Sequence, residues 1–430
     1  MKRAIFFLMT ATSVLGQAYN DFDLEPHNYY TADLKDPMST WLARLQKSEI
    51  EVKEENGKPL LQRMLEDLKV PVSSQVLVFT KTSLQRRVVN PQNPRAIYFN
   101  EDVYAGWMPN GRIEITSMDP DVGGIFYFQR PLDEPNRPLF RREESCLGCH
   151  AGSATSFLPG LLARSVFPDE SGNSLKSIRT FERVGHQVPF DQRWGGWYVT
   201  GHHGKARHLG NALATGGRSH PVLLADRNAN RESLDDFFDA DVHLRPDSDV
   251  LAMLLHDHQI SMHHWMMEAH HRVRQEFYDA KIEGKTREDL QKLPADDDHA
   301  DLQKCVNRLM RYLLFADEAS LGDEAWKDLG DYRKDFLSNR KQDAQSRSLK
   351  DLRLQNHIFQ YRCSYMIYSK AFAALPVPLK EEVYHRLHAI LTGDVEGFGY
   401  LPAGEKKAIY EILTATLPEA AAYWGKLAAG

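Results

Sequence analysis

Cys146-Leu147-Gly148-Cys149-His150 sets two thiols three positions apart, with an imidazole directly after the second. Thiols at that separation can add to the two vinyl groups on one edge of a haem. The adjacent His150 then lies beneath the iron and offers a ring nitrogen as the proximal axial ligand. Three rival chemistries share parts of this pattern. A structural zinc site calls for a second cysteine pair or paired histidines at matching spacing, and the other two cysteines, Cys305 and Cys363, stand alone. A thioredoxin-like dithiol calls for a buried apolar strand before it, whereas residues 136–144 (NRPLFRREE) are polar and hold a proline. A disulfide across two residues would be strained. One covalently attached haem c, held by Cys146 and Cys149, is the leading reading.

The second axial position is open. Eleven of the 18 histidines fall between residues 202 and 271. His203 and His208 sit in a glycine-bearing stretch (GHHGKARHLGN) whose backbone can turn tightly against a flat cofactor. His258, Met262 and His263 follow in a stretch that reads as helix, where His258 and Met262 share one face, as do Gln259 and His263. A thioether ligand there would raise the reduction potential and an imidazole would lower it. Each of these residues has an equally ordinary use as a core or hydrogen-bonding side chain. An iron with no second protein ligand would favour small-molecule or peroxide chemistry. Trp194 and Trp197 are either porphyrin-packing or plain core aromatics. Two E-x-x-H spacings, Glu268 to His271 and Glu382 to His385, are the fragments from which a carboxylate di-iron site is built, but the spacing is common in charged helices. Cys305 and Cys363 are either a disulfide or two separate buried thiols. Asp296-Asp297-Asp298 reads as solvated loop charge.

The elements that must position these groups fall into an α+β order. Apolar residues recur every three to four positions from about Asp36 to Leu68, which predicts two short helices divided at Gly57-Lys58-Pro59. From Gln75 to Gln129, short β-type runs (QVLVFT, AIYF, VYAGW, RIEIT, GIFYFQ) alternate with turn signals such as Asn110-Gly111 and Asp119-Pro120. Helical periodicity returns around Val250–Tyr278, Leu302–Phe315, Leu349–Leu375 and Val383–Leu391, with a breaker at Leu375-Pro376-Val377-Pro378 and a loop over Gly393–Gly404. The expected organisation is a signal peptide at 1–18, an N-terminal helical segment at 19–70, a β-rich haem-bearing region at 71–245 and an α-helical region at 246–430.

Composition narrows the function. The 430 residues are 42% hydrophobic and 26% charged, ordinary values for a globular chain. Fifty-three Lys plus Arg against 59 Asp plus Glu give a net charge of −6, without the basic excess of a duplex nucleic-acid binder. Met1-Lys2-Arg3, the apolar run from Ala4 to Leu15, and Gly16-Gln17-Ala18 read as a secretory signal, too short to span a bilayer as a mature helix; an N-terminal buried helix or uncleaved anchor is the competing reading. Export and covalent haem support each other, because this haem linkage is made outside the cytoplasm.

The CxxCH pentapeptide resembles the attachment site of c-type cytochromes. Residues 94–100 (PRAIYFN), 193–201 (RWGGWYVTG) and 363–369 (CSYMIYS) are similar to phrases in a group of bacterial exported single-CxxCH proteins, a likeness that runs through most of the chain after residue 18. The resemblance implies a haem protein and carries no particular reaction. Unlike small cytochromes c, the motif lies far from the N-terminus and no Met-Pro loop follows it. The expected function is a c-type cytochrome, periplasmic or otherwise exported, acting in electron transfer with a redox partner protein or small-molecule donor or acceptor. A peroxidase-like oxidoreductase with an open distal face, or a haem-based sensor or scaffold, is the alternative, since roughly 80–100 residues suffice for an electron shuttle.

Overall fold

The computed structural model describes residues 22–53, 56–130, 139–175, 184–215, 222–223, 230–284, 293 and 299–429. The expected signal peptide and Asp296-Asp297-Asp298 lie outside these residues.

Two short helices come first, α1 (Pro37–Gln46) and α2 (Gly57–Asp67). Asp36 caps α1, its carboxylate accepting the backbone N–H groups of Met38 and Ser39 at 3.0 and 3.1 Å. The division between them falls at 47–56, not at Gly57-Lys58-Pro59. Those residues form the first turn of α2, where a proline costs no intrahelical hydrogen bond.

The β-type runs become β1 (Val76–Val78), β2 (Arg95–Phe99), β3 (Val103–Trp107), β4 (Glu114–Asp119) and β5 (Gly123–Gln129). With β6 (Phe140–Arg142) and β7 (Trp197–Tyr198) they build a seven-stranded antiparallel sheet in the order β6-β5-β4-β3-β2-β1-β7. The first six strands form a meander, and β7 closes the far edge beside β1. The short α3 (Leu147–His150) follows β6, and a two-stranded ribbon, β8 (Ala214–Thr215) and β9 (Val222–Leu223), follows β7.

The remaining elements are mostly helical: α4 (Val250–Ile282), α5 (Ala300–Leu313), α6 (Asp331–Leu337), α7 (Lys370–Ala373), α8 (Val377–Thr392), α9 (Ala403–Thr416) and α10 (Pro418–Ala429). Proline at the start of α8 and the non-helical stretch at 393–402 agree with the sequence signals. Leu349–Leu375 departs from expectation. It contains the hairpin β10 (Leu352–Gln355) and β11 (His357–Phe359), then a 3₁₀ turn, and only the four-residue α7. Leu354 and Asn356 adopt left-handed φ of 53° and 60°, which interrupts a helix. The backbone there is satisfied from elsewhere: Trp326 N–H donates to Leu354 O at 2.8 Å and Asn356 N–H donates to Gly322 O at 2.9 Å.

The sheet divides two apolar cores. Leu77, Ala96, Tyr98, Val103, Ala105 and Ile115 pack with Trp41, Leu60, Leu61 and Met64 of α1 and α2. Val76, Val78, Phe99, Tyr104 and Met118 pack with α4 and the helices beyond it. Residues of the expected β-rich and helical regions therefore share one core, with α4 at the junction. Among the described residues no helix is long and apolar enough to cross a membrane.

Candidate haem-attachment cavity

Cys146, Cys149 and His150 line a single cavity of about 860 Å³. Its floor is one face of the sheet. Pairing sets Val78 opposite Arg95, Ile97 opposite Gly106, and Tyr104 opposite Thr116. Gly106 pairs with Glu114, Glu114 with Phe128, and Thr116 with Phe126. Side chains of paired residues share a face, and successive ones alternate, so this register puts the whole set on one side. All of these residues border the cavity. The walls come from residues 81–86, from the CxxCH segment, from residues 161–164, from Trp197 and from His256 and Ile260 of α4. The volume and the mixed apolar and polar lining suit a cofactor-sized ligand.

The motif is held locally. Phe140 N-terminal to it is buried in the sheet while Arg141 is exposed, so the strand that leads in is an edge strand and not a buried apolar one. A 3₁₀ turn over Glu144–Cys146 runs into α3, putting the two cysteines about one helical turn apart. Cys146 is half-buried and Cys149 exposed, and both are free thiols. Burial, then Glu114 and Glu143, push the Cys146 thiol up to about 12.

His150 is fixed at two points to Gly160. Its Nδ1 lies 2.9 Å from Gly160 O, and Gly160 N–H donates to His150 O at 2.9 Å. A carbonyl only accepts, so Nδ1 carries the proton and Nε2 keeps its lone pair. That is the tautomer and orientation a metal-binding imidazole needs. Burial lowers its pKa to about 4, so the ring is neutral at pH 7. Phe126 packs on it at a centroid distance of 4.7 Å. The loop carrying Gly160 sits on the start of β5: Gly124 N–H donates to Pro159 O at 2.9 Å, and Gly123, at φ 90°, leaves room for that carbonyl. A Cβ at Gly123 would stand 2.4 Å from it.

Charge at the cavity is cationic. Lys81, Arg86, Arg95 and Arg164 line it against the single carboxylate of Glu114. Arg95 Nη1 contacts Glu114 Oε2 at 2.6 Å. Glu114 Oε1 also accepts from Ser83 Oγ at 2.9 Å and Gln85 Nε2 at 3.0 Å, which draws the 83–85 rim onto the sheet. The cationic excess suits a ligand that is apolar over its faces and carries carboxylates at one edge, as haem does. The residues present thus fit a covalently tethered haem.

None of the five expected distal candidates borders this cavity. His203 and His208 lie together away from it, ring centroids 4.4 Å apart, near Trp326 and Trp194. His258 has both ring nitrogens engaged, Nδ1 with His186 Nδ1 at 2.9 Å and Nε2 with Ser364 Oγ at 2.8 Å. Met262 is wholly buried in the helical core. His263 Nε2–H donates to Glu101 O at 2.7 Å. The sequence reading passed over His256, which does line the cavity. Of the two tryptophans, Trp197 borders the cavity, with Nε1–H donating to Arg164 O at 2.9 Å. Trp194 instead donates to the buried Asp257 carboxylate at 2.9 Å.

The other sequence candidates are spread through the fold. Glu268 pairs with Arg308 at 2.7 Å, His271 stacks on His27 at 4.1 Å, and Glu382 pairs with Arg386 at 2.5 Å. Among the described residues no three His, Cys, Asp or Glu side chains converge to hold a bare metal ion. Cys305 and Cys363 are separate buried thiols. Comparison with known proteins gave no matching family model, no matching curated protein and no matching solved structure.

Proposed function

We propose that this chain is an exported c-type haem protein that transfers electrons, akin to the bacterial single-CxxCH proteins its sequence resembles. The observation that carries the reading is that both cysteines and the histidine of the motif border one cavity of about 860 Å³, with His150 held in a metal-binding tautomer. Cys146 and Cys149 are the tethering thiols, and His150 Nε2 is the proximal iron ligand. Haem bound there supplies a one-electron ferric/ferrous couple.

The protein's own groups do the rest. Gly160 O holds the His150 ring at a fixed angle and strengthens its donor nitrogen. Ile97, Phe126, Phe128 and Ile260 offer apolar surface against which a flat ligand can pack. Arg95 and its cationic neighbours oppose the negative edge of the ligand. Cys149 is exposed at the cavity wall, so a haem tethered there would be within reach of a redox partner protein or a small-molecule donor or acceptor. Export places the thiols where this linkage is made.

The test is expression with a working cytochrome c maturation system. The exported chain is expected to gain the mass of one haem and to stain for haem on a denaturing gel. The Cys146→Ser, Cys149→Ser double variant is expected to lose both signals while still being exported. A wild-type chain with two unmodified cysteines, or staining retained by the double variant, would refute the reading.

A further inference from the structure

His256 lies on the first turns of α4, the long helix that joins the sheet to the helical core, and its ring borders the same cavity as His150. It is 3% exposed. Its Nδ1 is buried without a hydrogen-bond partner. Leaving a buried polar group unpaired is costly, and interiors ordinarily avoid it. The surrounding rings supply no partner: Phe99, Trp197 and Tyr104 pack around it at centroid distances of 5.2, 5.5 and 5.9 Å. Burial, reinforced by Arg95, holds the imidazole neutral, with a pKa lowered to about 3.

The two phenols on the walls are already committed. Tyr104 OH donates to Gln259 Oε1 at 3.0 Å and Tyr127 OH to Asp36 Oδ2 at 2.9 Å. His150 and His256 are the two imidazoles that line the cavity, and they come from different walls, α3 and α4.

We infer that His256 is the second axial ligand of the haem iron, so that the metal is held by two neutral imidazoles and its distal face is closed. This rests on the proposed attachment of haem through Cys146 and Cys149. Ligation gives the orphaned ring the partner that the protein interior withholds. Two histidine ligands favour low-spin iron and a lower potential than a thioether would set, and a closed iron favours electron relay over peroxide turnover.

The experiment uses exported holoprotein carrying covalent haem. Wild type is expected to be low-spin in the ferric state by electron paramagnetic resonance, and to bind carbon monoxide slowly when ferrous. His256→Ala is expected to turn high-spin and to bind carbon monoxide tenfold faster or more, and added imidazole to restore the low-spin signal. His256→Met is expected to remain low-spin, to show a sulfur-to-iron charge-transfer band and to gain potential; it carries the test if the alanine variant does not accumulate. Met262→Leu and His263→Gln are expected to keep the wild-type spectrum. Covalent haem on a wild type that is high-spin, or a low-spin wild-type spectrum retained in His256→Ala, overturns His256 as ligand and leaves haem attachment intact. A wild-type chain without covalent haem overturns the attachment itself, and the ligand assignment with it.

Discussion

At the scale of single residues, the cavity works through which lone pairs are spent and which are kept. Gly160 O accepts the hydrogen bond from His150 Nδ1–H and so leaves the lone pair on Nε2; the engaged nitrogens of His258 and His263 remove those rings from contention. Arg95 is the charge that most directly addresses the cavity, since it stands on the sheet floor and pairs with Glu114 at 2.6 Å. Replacing it should matter electrostatically more than sterically. Arg95→Gln removes a cation near the redox centre and leaves Glu114 without its partner, and both changes favour the ferric state. The midpoint potential is expected to fall by on the order of tens of millivolts, measured by redox titration of the Soret band; an unchanged or higher potential would show that Arg95 lies outside the field felt by the iron.

The elements explain how a four-residue helix can be held firmly enough to present a ligand. α3 makes no core of its own. It is anchored through the Pro159-Gly160 loop, which is pressed against β5 because Gly123 has no side chain. Gly123→Ala puts a methyl 2.4 Å from Pro159 O and requires a non-glycine residue at φ 90°. The expected cost is about 2–3 kcal/mol, read as a lower midpoint in denaturant. The His150–Gly160 contact should loosen with it, broadening the haem spectrum of the variant. Loss of stability smaller than about 0.5 kcal/mol would mean that the loop re-seats without strain.

The molecule as a whole buries an unusual number of neutral imidazoles. Away from the cavity, burial lowers His27, His243 and His263 to about 4 and His258 and His270 to about 3. His186, His208 and His271 are lowered further by burial and by neighbouring cations or histidines. Below the ordinary histidine pKa of 6.5 the unfolded chain binds these protons and the folded chain does not, so stability falls as pH drops from about 6.5 toward 4. Asp249 and Asp257, raised by burial to about 6, act oppositely, because the folded form holds their protons more tightly. The histidines outnumber them. Unfolding should therefore take up protons on balance between pH 6 and 5, so stability falls with pH across that range, visible as a falling urea midpoint. A flat stability profile across that range would contradict the burial of these rings.

Much of this was legible locally. The CxxCH residues are neighbours in the chain, so their spacing alone marks the thiols and the imidazole as candidates. The strands from Val76 to Gln129 announced themselves through β-branched and aromatic runs broken by turn residues, and α4 through helical periodicity. What sequence could not rank were the histidines of α4. His256 and Ile260, His258 and Met262, and Gln259 and His263 are all i, i+4 pairs, and residues 250–260 are buried on every side, so no polar face marks which pair meets a cavity. That choice is made by a sheet assembled about 150 residues earlier, whose register aims Arg95, Tyr104, Glu114 and Phe126 at the same space. The hairpin at 352–359 was hidden for a similar reason, because its backbone partners lie at 322–326. Covalent spacing and local periodicity are properties of the chain; which side of a fully buried helix faces a cavity is settled only when distant segments pack against it.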